Sequence, residues 1–245
     1  MRDDPLSDRN LKFRRAQRHV REVRRVIKAY GNRGPNETVR DPNLEGNPIV
    51  GFRVRRQPPA SVSIAAGDAL QDFKSALDHG VHELSRLNEA TQEELGDCEF
   101  LIASKGDWYG GHKIKRLGKL PAKALDFVTD LQPFQGSLDT RRDRWALRVL
   151  HELARIDRHR HVHVTSLIPD AWEATISPVD GVIDNENTFA ILVSDPSKVK
   201  MHMSIRSSVS IDEPSLMETL PLSNTMEQIE ATVRGILLRL ADFRP

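Results

Sequence analysis

The residues best suited to chemistry fall between positions 151 and 163. His151, His159, His161 and His163, four of the nine histidines in the chain, lie there with Arg158 and Arg160 among them. Imidazole titrates near neutrality and ligates metals, and guanidinium grips phosphate in a two-pronged fork, so the run suits proton transfer or anion binding. Asp157 precedes it and would orient an imidazole or steady its cationic form. Asp157 and His159 are therefore candidate catalytic groups, with Arg158 and Arg160 as substrate contacts. A second polar cluster, Lys74, Asp78, His79 and His82, is its natural partner. The simpler reading of the first run is electrostatic, because cations just past a helix complement its dipole and open carbonyls. For the second it is a solvated face, or an Asp-Arg-His network knitting helices together.

A metal site would use His159, His161 and His163 on one face of a strand. His159 precedes the strand pattern, however, and Arg158 and Arg160 oppose a divalent cation. No metal and no cofactor is expected, and a histidine-ligated metalloprotein is the third of three readings.

The elements that must carry these groups follow from periodicity. Phe13, Ala16, Val20, Val23, Ile27 and Tyr30 step by three and four, which predicts a helix over residues 6–30. Residues 37–59 contain four prolines around short extended pieces and predict paired strands. Leu70, Phe73, Leu77, Val81 and Leu84 predict a second long helix over 64–87. Residues 88–120, with Gly106, Gly110, Gly111 and Gly118, read as irregular. A short helix over 121–131 stops at Pro133, and Trp145, Val149, Leu153 and Ile156 mark another over 139–157. The period then changes to two, with strand candidates in 161–166, 172–176, 189–193 and 199–211. A last helix over 223–243 starts from Ser223 or Asn224 as cap. Helices first and strands late predict one α+β domain. It has a helical core of four to five helices, spanning 64–157, and an antiparallel sheet in the C-terminal third, 161–211.

Charge is unevenly placed. From Leu11 to Lys28 there are eight Lys or Arg against Glu22 alone, a local charge of +7; with the whole chain at +1, the remainder sums to −6. Arg14, Arg18, Arg21, Arg25 and Lys28 step at helical spacing beside the apolar stripe, a candidate track for a nucleic-acid backbone. The alternative is a solvated face, or one paired with the acidic stretch 89–99. An RNA or an acidic protein are the partners considered.

The 245 residues are 38% hydrophobic and 29% charged, enough for a core built on amphipathic helices. Apolar runs such as Ile236-Leu237-Leu238 are far too short to span a membrane, and no apolar leader follows Met1. Cys98 is the only cysteine, which excludes internal disulfides and a cysteine zinc cage. A cytoplasmic protein with no membrane partner is the expectation.

Three blocks carry a resemblance: Phe73-Lys74-Ser75-Ala76-Leu77-Asp78-His79, Leu131-Gln132-Pro133-Phe134 and Ile156-Asp157-Arg158-His159-Arg160. In order and spacing, over about residues 60–165, they resemble a family of uncharacterised bacterial proteins. Its blocks run Leu-Arg-Ser-Ala-Leu-Asp-His, Leu-Gln-Pro-Tyr and Ile-Asp-Lys-His-Arg. That resemblance implies a shared fold and supplies no activity. The first block is also similar to the motif of HEPN ribonucleases, an Arg and a His four to six residues apart on a bundle helix. This resemblance implies His79 as acid/base for the ribose hydroxyl, Lys74 as phosphate contact, and a homodimer sharing the site. Lys74 replaces the Arg of that motif and loses its fork, and Ser75 stands where Asn or Asp is usual. The first reading is thus an RNA-directed HEPN-like protein, a metal-independent endoribonuclease. It places His79, Asp157 and His159 at the chemistry, and Lys74, Asp78, His82, Arg158 and Arg160 around the substrate. The second is a non-enzymatic interaction protein whose polar clusters fix helix packing.

Overall fold

A computed structural model describes residues 7–41, 49–135, 142–167, 181–185, 188–192, 208–216 and 219–244. Among them the chain forms seven α-helices and two antiparallel sheets, an α+β architecture. The helices are α1 (Asp8–Gly31), α2 (Ala60–Leu87), α3 (Gln92–Asp97), α4 (Gly106–Leu117), α5 (Ala122–Asp130), α6 (Arg142–Asp157) and α7 (Leu222–Ala241).

The core gathers around α2, whose buried residues form a broad stripe covering more than half of its circumference. Helix α1 lies along it, with Phe13 and Phe73 rings 5.7 Å apart between centroids. Helix α6 covers a second side and α7 a third. The α7 approach is close at Gly80, where a β-carbon would stand 3.1 Å from Leu237 and 3.3 Å from Leu240. Phe73, Leu77, Leu147, Leu150, Met226 and Ile229 are among the fully buried side chains. Each fully buried side chain of this size stabilises by about 1.5–3 kcal/mol relative to exposure, so the stripes seen in sequence are the fold's main cohesion.

Strands β1 (Asn36–Asp41), β2 (Ile49–Val54), β4 (Gly181–Asn185) and β5 (Thr188–Leu192) form one sheet in the order β1-β2-β5-β4. Strands β3 (Val164–Leu167), β6 (Ser208–Ile211) and β7 (Leu220–Pro221) form the other, with Val164 opposite Ile211. The single C-terminal sheet expected from sequence is therefore two. The early strands β1 and β2 pair antiparallel as expected, and β2 also joins β5.

Residues 88–120 are irregular only in part, since two helices form within them. Thr91 caps α3 through a capping box with Glu94, and α4 forms despite Gly106, Gly110 and Gly111. Burial of Tyr109 and Leu117 outweighs the roughly 1 kcal/mol that each helical glycine costs. Helix α7 starts at Leu222 with Pro221 in the cap position, ahead of the Ser223 or Asn224 expected. The strand candidate at 172–176 and the start of the helix expected from 139 lie outside the described residues, as does most of the strand expected over 199–211.

Candidate functional site

Gly67, Gln71, Lys74 and Asp78 recur by four, three and four, so they share one face of α2. That face meets α6. The Asp157 carboxylate occupies the notch left by Gly67, where a β-carbon would overlap Oδ1. Gln71 donates from Nε2 to the Ala154 carbonyl at 2.7 Å and to Asp157 at 3.3 Å. Burial pushes the Asp157 carboxyl above its ordinary range; the Gln71 hydrogen bond opposes this, Asp68 adds to it, and His161 opposes it. One turn on, Lys74 donates to Asp78 at 2.6 Å and to Glu99 at 3.4 Å. Asp78 also accepts the Phe100 amide at 2.9 Å. Burial raises the Asp78 carboxyl, with Lys74 and that amide pulling it back. His151, also on α6, is pushed down by burial; Glu152 opposes the shift, and Lys74, Arg158 and Arg155 reinforce it.

The other expected site residues lie elsewhere. His79 leaves α2 about 140° around the axis from Lys74. It falls on the stripe of Asp72 and Glu83 that faces α1, half-buried and with no hydrogen bond or ion pair among the described residues. His82 is half-buried and likewise unpartnered among them. Arg160 grips the buried Glu213 carboxylate with both guanidinium arms, at 3.0 and 2.6 Å, and Glu213 also accepts the His163 amide at 2.6 Å. Arg158, His159 and His161 are exposed, and exposed His163 sits beside Asp212. The single pocket that would join Lys74, His79, Asp157 and Arg160 is thus not formed. Lys74 and Asp157 share the seam, His79 faces α1, and Arg160 braces the turn after β6. No group of three or more His, Cys, Asp or Glu among the described residues is placed to hold a metal ion, so His159, His161 and His163 do not converge.

The three sequence blocks meet in a different way. Asp78 of the first holds Phe100. Gln132 of the second, fully buried, accepts the Ala103 amide at 2.9 Å and donates to the Leu101 and Val128 carbonyls at 2.8 and 3.0 Å. Asp157 of the third fills the Gly67 notch. Together they fasten residues 100–103 to α2 and to the end of α5, and α6 to α2, a structural use that accounts for those residue types at those places.

The cations of α1 divide into two sets. Arg9 reaches Glu83 at 3.3 Å, Arg15 and Lys12 reach buried Asp72 at 3.1 and 3.8 Å, and Arg24 reaches Glu227 at 3.0 Å. These bind α1 to α2 and α7. Arg14, Arg18, Arg21 and Lys28 form no ion pair or hydrogen bond among the described residues. Arg25 joins their line but is paired with Glu22. The acidic stretch considered as a partner for this stripe is engaged elsewhere: Glu94 with Lys119, Asp97 with Lys115, and Glu99 with Arg116 and Lys74.

Comparison of the chain with protein-family models, with curated proteins and with solved structures finds no match. No helix among the described residues is long and apolar enough to cross a membrane.

Proposed function

We propose that this protein binds RNA through the outer face of α1, without cutting it. The observation that carries the reading is the stripe Arg14, Arg18, Arg21, Arg25 and Lys28, of which four lack any partner among the described residues. It spans roughly 21 Å of straight helix. Unpaired cations in a row favour a backbone that presents negative charge at repeated intervals. A protein partner would need an apolar anchor at the centre of its contact, and the one exposed large apolar residue on this line, Leu11, lies beyond its N-terminal end. The similarity of the first sequence block to HEPN proteins directs the choice of RNA. Binding is favoured over cleavage because Lys74 is neutralised by Asp78 and Glu99, on a different side of α2 from His79.

Titration of a labelled single-stranded RNA across a range of salt concentrations tests this. The triple change Arg14→Gln, Arg18→Gln and Arg21→Gln is expected to flatten the log–log salt slope by about 2, at roughly 0.7 for each phosphate no longer neutralised. An unchanged slope would overturn the reading, and polyglutamate competing as well as RNA would transfer the stripe to an acidic protein. Any RNA products formed in EDTA are expected to be identical for wild type and His79→Ala. Their loss in the variant would restore the nuclease assignment.

A further inference from the structure

At the C-terminal end of the α1 stripe the surface becomes concave. A cavity of about 290 Å³ is lined by Arg25 of the stripe, by Arg33 and Arg56, and by Gln57 and Ser61. Arg33 and Arg56 are exposed, and their side chains have no partner among the described residues. The cavity is held in shape from behind. Buried Tyr30 donates its hydroxyl to the Arg56 carbonyl at 2.5 Å, and the Arg55 and Arg56 amides both donate to the Pro35 carbonyl, at 2.7 and 3.3 Å. Val26, Tyr30 and Pro35 form apolar wall. The neighbouring start of α2 carries no acidic residue in its first turn. Its dipole adds to the positive field but does not make the site.

We infer that this arginine-lined cavity receives a terminal phosphate monoester of an RNA whose backbone lies along α1. The inference rests on the binding mode proposed above and specifies which end of the ligand the protein reads. A diester within a strand carries one negative charge and must leave by a second exit. A terminal monoester carries up to about two charges and ends there, with three oxygens for guanidinium forks. The volume lies near the lower end of the roughly 300–1,000 Å³ usual for small-ligand sites, so a phosphate and part of its sugar fit. Arg25 belongs to both features, which makes the cavity the end of the track and not a separate surface.

The test uses one RNA sequence in three forms, with a 5′-phosphate, a 3′-phosphate or neither, and reads affinity by anisotropy. Wild type should bind one phosphorylated form about tenfold more tightly than the unphosphorylated one, the gain of a single net charge-assisted hydrogen bond. Which end gains identifies the strand's direction along α1. Arg33→Gln with Arg56→Gln should erase that preference yet keep affinity for the unphosphorylated RNA within about twofold, since neither residue is in the stripe. Equal binding of all three forms by wild type would overturn the inference and leave the α1 reading intact. So would a preference that survives in the double variant with unchanged circular dichroism. Failure to bind any of the three would overturn both.

Discussion

The outer face of α1 and the seam between α2 and α6 are both rich in charge, and they use it oppositely. In the seam nearly every polar group already has a partner: Lys74 has two carboxylates, Asp78 has an ammonium and an amide, and Asp157 has Gln71. On the α1 face, four cations have none among the described residues. A group satisfied within the fold contributes to stability and has little left for a ligand; an unsatisfied exposed one costs the fold little and remains available. The difference separates engaged from available charge better than residue type does, because lysine serves in both regions, paired at Lys74 and without a partner among the described residues at Lys28.

Changes in and beside the seam should therefore act on stability, and the largest is expected at Gln132. Gln132→Ala leaves the Ala103 amide and two carbonyls without their buried partner, at a cost of about 2–3 kcal/mol by denaturant unfolding. A loss below about 0.5 kcal/mol would mean that residues 100–103 are held in place by other means. Gly67→Ala comes next. Its new methyl meets Asp157, and overpacking of this kind costs about 1–3 kcal/mol. Adding Asp157→Ala should recover part of that loss, a coupling that a double-mutant cycle measures directly. On the α1 face, Arg14→Gln, Arg18→Gln and Arg21→Gln together should move stability by no more than about 0.5 kcal/mol per site while weakening RNA binding. A large loss of stability there would merge the two regions into one.

The smallest effect is one of pH. The Asp157 carboxyl is raised in the folded state chiefly by burial, so the folded protein holds its proton to higher pH than the unfolded chain. Its contribution is thus favourable below the ordinary carboxylate range and is lost as pH rises through the raised value. Asp157→Asn should flatten stability against pH across that window. An unaltered profile would show that the carboxylate is better solvated than its notch indicates.

Much of the fold is legible in the sequence because α1, α2, α6 and α7 each bury one long apolar stripe, and period 3.6 records that directly. Helix α4 is not, since glycines mask it and only the packing of Tyr109 and Leu117 decides the outcome. Helix α3 has a readable signal in Thr91 and Glu94, a capping-box pair. Strand β4 and the pairing of β2 with β5 are hidden, because sheet partners distant in sequence leave no local mark. At the site, the α1 stripe can be read from spacing alone. The surroundings of His79 cannot, although its angular distance from Lys74 follows from the helix repeat. Gln71 and Gly67 carry no signal of their own, because a notch and the residue beside it exist only once α6 arrives. Arg33 and Arg56 lie 23 positions apart, on either side of the β1–β2 pair, and only tertiary structure sets them around one cavity.

Helix α1 is fastened along its length, by Arg9 to Glu83, Arg15 to Asp72, Gln17 to Glu230 and Tyr30 to the Arg56 carbonyl. Its guanidinium groups without a partner among the described residues are consequently mounted on a rigid bar whose graduations cannot slide to suit a visitor. On the binding mode proposed above, a polyanion too short to reach from Arg14 to Lys28 is expected to lose affinity in discrete steps, whatever its base sequence. If RNA lies along this face as proposed, the fastening makes a patch of positive charge a gauge of length.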